Sequence, residues 1–95
     1  MNDHYKPKTI EAKLGWVVEE CGEVLAAIGK TQRWGLKSVD PTIFDHKKQE
    51  TNRAWIMREL RDLKKAITLL ESAPEMQVDA EEQGWIDDGL GSELR

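Results

Sequence analysis

Two acidic clusters, Glu19-Glu20-x-x-Glu23 and Glu59-x-x-Asp62, each lie inside a stretch whose apolar residues recur at steps of three and four. Residues three or four apart share one face of an α-helix. Glu20 and Glu23 therefore point one way on a first helix, and Glu59 and Asp62 one way on a second. Packed side by side, two such helices bring four carboxylates together, and the rest of the chain must accommodate that charge.

The first stretch carries Ile10, Leu14, Val17, Val18, Cys21, Val24, Leu25 and Ile28. Thr9 is placed to cap it and Gly29 to close it, which predicts a helix over about residues 9–28. At about 100° per residue, this apolar stripe is centred opposite Glu19, Glu20 and Glu23, on an arc that also holds Ala12, Trp16 and Ala27. The core is expected on the stripe, with Cys21 buried there as a small hydrophobe. An ordinary solvated face would set a cation four residues after each acid. Here Glu23, Val24 and Ala27 occupy those positions.

The second stretch predicts a helix over about residues 50–70, with Trp55, Ile56, Leu60, Leu63, Ala66, Ile67 and Leu70 on one side and Ser72-Ala73-Pro74 ending it. Glu59 falls inside that apolar arc and Asp62 at its edge. Burying an isolated carboxylate costs several kcal/mol unless it is paired or bound to metal. A salt bridge to Arg58, Arg61, Lys64 or Lys65 is one remedy, although those residues are expected to face mostly toward solvent. Clustering the acids has its own cost: at about 5 Å and an effective dielectric of about 20, each like-charged pair costs roughly 3 kcal/mol. Divalent cations or protonation must relieve it, and oxygen-only ligands select Mg²⁺, Mn²⁺ or Ca²⁺.

Between the helices, residues 30–48 lose the helical period and read as a long loop carrying Lys30, Gln32, Arg33, Trp34, Lys37, His46, Lys47 and Lys48. Cations interleaved with an indole suit phosphate oxygens and a stacked base. The alternative is a solvated loop with Trp34 folded onto the bundle. Residues 75–95 contribute −6 to the net charge of −4, leaving +2 for residues 1–74. Neither part has the concentrated basic face of a nucleic-acid binder. The acidic segment is expected to form a short helix and then a mobile tail broken at Gly89 and Gly91, with Trp85-Ile86 available to dock on a neighbour.

A chain of 95 residues is one small domain. Its limited core, and the apolar surface left on two long helices, predict a homo-oligomer. The single cysteine excludes an intramolecular disulfide and fits a reducing compartment. The N-terminus lacks a signal-peptide run, and no segment approaches the roughly 18 apolar residues of a membrane span. A cytoplasmic location is expected, with neither membrane nor nucleic acid as a partner.

The run from Leu14 to Ile28 and the run from Arg58 to Leu63 resemble the two motif helices of the MazG-like superfamily. These are the all-α nucleoside triphosphate pyrophosphohydrolases, which also include phosphoribosyl-ATP pyrophosphatase and the helical dCTP and dUTP hydrolases. The resemblance spans about residues 10–72 and implies an all-α fold. Two long antiparallel helices and a short extra one would build a four-helix bundle completed by oligomerisation, a dimer at least and plausibly a tetramer. Residues 1–74 would form the catalytic domain and residues 75–95 an acidic C-terminal segment.

The implied reaction is hydrolysis of a (deoxy)nucleoside triphosphate to the monophosphate and pyrophosphate, a nucleotide-pool house-cleaning activity. By the same resemblance, Glu20, Glu23, Glu59 and Asp62 hold Mg²⁺, with Mn²⁺ as a substitute, and Glu19 orients or deprotonates the attacking water. Lys30, Arg33, Lys48 and Arg53 are candidates for phosphate contacts, and Trp16 or Trp34 for covering the base. The competing reading is a non-catalytic helical dimerisation or regulatory module whose acids bind a structural cation or none.

Overall fold

The computed structural model describes residues 6–39 and 49–93, with side chains as far as Asp88. Helix α1 spans Ile10–Trp34 and α2 spans Asn52–Glu71; a single 3-10 turn at Pro74–Met76 leads to α3, Ala80–Glu93. The two long helices pack on each other and form the principal helix–helix packing among the described residues. They run antiparallel: Lys30 lies over Trp55 near one end, and Glu20 meets Glu59 and Asp62 further along. No helix among the described residues is long and apolar enough to cross a membrane.

Each start is set by a threonine. Thr9 Oγ1 accepts from the Ala12 N–H at 3.1 Å and Thr51 Oγ1 from the Ala54 N–H at 3.1 Å, each satisfying one of the donors that a helix start leaves open. The end of α1 departs from the sequence expectation, because the helix runs through Gly29 and stops at Gly35. A glycine inside a helix costs about 1 kcal/mol relative to alanine but does not break it. The turn beyond it is reinforced by Thr31, whose hydroxyl donates to the Ala27 carbonyl at 2.9 Å. Gly35 has φ 92° and ψ 163°, a conformation essentially restricted to glycine. Its N–H closes the helix on Thr31 O at 2.8 Å. The expected loop therefore begins five residues later than the periodicity implies.

A neck then returns the chain to α2. The Asn52 N–H donates to Ser38 O at 2.8 Å and the Arg53 N–H to Leu36 O at 2.9 Å, and the Asn52 side-chain amide donates to Gly35 O at 3.0 Å. Val39 and Thr51 form an isolated antiparallel bridge beside these bonds. Residues 40–48, including His46, Lys47 and Lys48, lie outside the described residues.

The C-terminal segment holds a short helix, as expected, but without the breaks expected at Gly89 and Gly91. Asp79 and Glu82 cap α3 reciprocally, the Glu82 N–H donating to Asp79 Oδ1 at 2.8 Å and the Asp79 N–H to Glu82 Oε1 at 3.3 Å. So started, the helix passes Gly89 and Gly91 without a break.

The buried face of α1 is rotated away from its apolar stripe and shares only Val24 with it. Trp16, Glu20, Val24 and Ala27 are buried, while Val18 is 72% exposed and Leu25 70%. Leu14 and Cys21 are exposed as well, which corrects the expectation of a buried thiol. On α2 the buried residues are Asn52, Glu59, Asp62 and Ala66. The acid-bearing arcs face each other, and most of the apolar arc of α1, including Leu14, Val18, Cys21 and Leu25, is left on the surface of the single chain.

Candidate metal centre

Glu20 and Glu59 are withdrawn from water, with 0% and 3% of their surface exposed, and Asp62 retains 9%. One oxygen from each of the three lies within 4.8 Å of the others. Glu20 Oε1 accepts the Trp16 indole N–H at 3.1 Å. Glu59 Oε1 accepts the Trp55 indole N–H at 3.2 Å and an Arg58 guanidinium nitrogen at 2.9 Å. The second oxygens, Glu20 Oε2 and Glu59 Oε2, are buried and receive no hydrogen bond. Buried polar atoms normally find a donor. Two orphaned carboxylate oxygens in one cluster with a third carboxylate offer the oxygen ligands that a hard divalent cation requires.

Glu23 is half-buried and interacts with Glu59. Burial first, and then contact with and repulsion from the Glu23 carboxyl, push the Glu59 carboxyl above its usual value; the Arg58 cation and the Trp55 N–H oppose this without cancelling it. A carboxylate beside a carboxylate supplies no donor while both are ionised, so Glu23 leaves Glu59 Oε2 unsatisfied.

Glu19, the expected base, is exposed on α1 and outside the cluster. Arg33 and Arg53 are exposed, and Trp34 is 70% exposed at the last position of α1. Lys30 places its ammonium 5.8 Å from the centre of the Trp55 ring, a cation–π distance. Trp16 is buried with its N–H committed to Glu20 rather than open to a base.

Of the two partners of Glu59, the sequence offers Arg58 as a salt-bridge candidate and gives no role to Trp55. The salt-bridge alternative is present: Arg58, 43% exposed, reaches Glu59 at 2.9 Å while also pairing with Glu50 at 2.7 Å. The helical period places Trp55 on the apolar side of α2 and assigns it no contact with Glu59. Its role had a signal in the spacing: Trp16, Glu20, Glu23, Ala27 and Trp55, Glu59, Asp62, Ala66 follow one another at the same steps of four, three and four. The antiparallel helices present these two copies head to tail, with acids in the middle of the interface and alanines, both fully buried, beyond them.

Compared with known proteins, the chain matches no family model, no curated protein and no solved structure.

Proposed function

We propose that this chain is a cytoplasmic, Mg²⁺-dependent hydrolase of nucleoside or deoxynucleoside triphosphates that releases pyrophosphate, with Mn²⁺ as a substitute metal. The observation that carries the reading is the pair of buried, unpartnered oxygens of Glu20 and Glu59 beside Asp62. These three would hold the ion, with Glu23 at their edge. A divalent cation bound there supplies Lewis acidity toward phosphate oxygens and lowers the pKa of a water. The chain's residues do the rest. Water adds across the α–β anhydride, that P–O bond breaks, and monophosphate and pyrophosphate leave. Glu23, half-buried and outside the set of three, takes the proton from the water, and Glu19 lies on the outer rim. Lys30, over the Trp55 ring, neutralises part of the triphosphate charge.

The bundle in this reading is completed by a second copy, a dimer at least, seated on the apolar arc of α1. The non-catalytic alternative, a helical dimerisation module with a structural cation, would use that same exposed arc. Both readings predict self-association, so chemistry separates them. A screen of NTPs and dNTPs with Mg²⁺, scored for pyrophosphate, is expected to find a substrate whose turnover disappears in Glu59→Gln. A chain that binds the metal and turns over none of them leaves the module reading standing.

A further inference from the structure

Two of the centre's three carboxylates, Glu20 and Glu59, accept an indole N–H, and the pairing is the same on both helices. On each helix a tryptophan four residues before the glutamate donates its only polar hydrogen to Oε1 of that glutamate, and on each the Oε2 is buried with no donor. The geometry points to Trp16 and Trp55 as the positioning residues of the metal centre: each indole N–H ties down one carboxylate oxygen and so presents the other to the cation. This inference rests on the reading of the cluster as a divalent-cation site.

Indole chemistry suits the task. An indole N–H is a donor and never an acceptor, so it cannot compete with the carboxylates for the ion. It is also neutral. A lysine or arginine in its place would hold the carboxylate equally well but would cancel its charge and repel an incoming cation. The charged partner that Glu59 does have, Arg58, is 43% exposed and engaged by Glu50. Partners that orient metal ligands typically contribute 10–100-fold to affinity.

The two sites are unequal. Trp16 is the only donor to Glu20 among the described residues, whereas Glu59 Oε1 keeps Arg58 if Trp55 is lost. The inference therefore predicts a ranking that simple packing does not: Trp16→Phe should weaken the metal more than Trp55→Phe.

The decisive experiment follows the indole N–H resonances of the ¹⁵N-labelled, unmodified chain during a Mg²⁺ titration. There are four tryptophans. The Trp16 and Trp55 signals are expected to shift together with saturation, while that of the exposed Trp85 stays in place. Calorimetry with Mn²⁺ supplies the second measurement. Trp16→Phe, checked for folding by circular dichroism, is expected to bind at least about tenfold more weakly, Trp55→Phe by a smaller factor, and Trp85→Phe as the unmodified chain does. Unmoved Trp16 and Trp55 signals in a chain that does bind Mg²⁺ overturn the positioning role and leave the metal site intact. So does a folded Trp16→Phe with unchanged Mn²⁺ affinity. If Trp16→Phe does not fold, the titration of the unmodified chain decides. Absence of any Mg²⁺ or Mn²⁺ binding by the unmodified chain overturns the metal reading and the positioning role together.

Discussion

At Glu59 the two oxygens of one carboxylate have different surroundings: Oε1 takes an indole N–H and a guanidinium, and Oε2 takes nothing. Replacing this residue with glutamine keeps its shape and removes a charge crowded by Glu20, Glu23 and Asp62. Arg58 is freed by the change, but it is 43% exposed and keeps Glu50, so the lost pair is of the surface kind, worth up to about 1 kcal/mol. In EDTA at neutral pH, Glu59→Gln should unfold in denaturant at the same concentration as the unmodified chain or a higher one, and it should no longer bind Mn²⁺. A metal-independent loss of roughly 3–5 kcal/mol, the cost of breaking a buried pair, would show that Glu59 is structural. The sign of the pH dependence follows from the upward shift of this carboxyl. The folded chain holds the proton more tightly than the unfolded one, so the stabilising contribution is complete below the unfolded value, about 4.3 for glutamate, and is lost as pH rises through the folded value. Denaturation in EDTA at several pH values from 4 to 8 should show the unmodified chain losing stability relative to Glu59→Gln as pH increases.

Among the elements, the two glycines near the end of α1 respond oppositely to a methyl group. At Gly29, inside the helix, an added Cβ meets nothing within 4 Å, so Gly29→Ala should raise stability by about 0.5–1 kcal/mol. Gly35, at φ 92°, has the space but not the backbone, and Gly35→Ala should cost about 1–3 kcal/mol. Thermal melts of the pair check both signs. Their contrast also shows what the sequence made legible. Helical period located both long helices and the burial of Glu59, because an acid inside an apolar arc has few ways to exist. It could not choose between Gly29 and Gly35 as the stop, since the residues between them are adequate helix formers and only the backbone conformation decides. Nor could it choose which arc of α1 is packed. That depends on what α2 presents, and α2 presents Glu59 and Asp62. The Arg58 salt bridge to Glu59 is among the pairings the sequence offers; helix neighbours diverge by about 100°, and the long arginine side chain closes that angle.

For the whole molecule, the radius of gyration of 17.5 Å exceeds the roughly 12 Å of a compact domain of this length. The chain is a plate of 55 × 38 × 15 Å, with Val18 and Leu25 on one long helix and Trp85 and Ile86 on α3 all open to water. Sedimentation at low micromolar concentration should report a dimer or larger, and Leu25→Lys should shift it toward monomer and lower the melting temperature. In a monomer, where Leu25 is already exposed, the same change should stay within about 0.5 kcal/mol. Millimolar Mg²⁺ in place of EDTA should raise the melting temperature by several degrees, because an ion at 100 times its Kd adds about 2.7 kcal/mol to the folded state. The neck formed by Gly35, Leu36, Ser38, Asn52 and Arg53 also has a consequence for engineering. It sets the register of α2 against α1 through bonds between residues 35–38 and 52–53, so the alignment of Glu20 with Glu59 is fixed by residues outside the interval 40–48. Loop closure grows only with the logarithm of length, about 0.6 kcal/mol per doubling. New chain termini, a reporter peptide or a second domain spliced into that interval should therefore leave the carboxylate geometry, and with it metal affinity, unchanged.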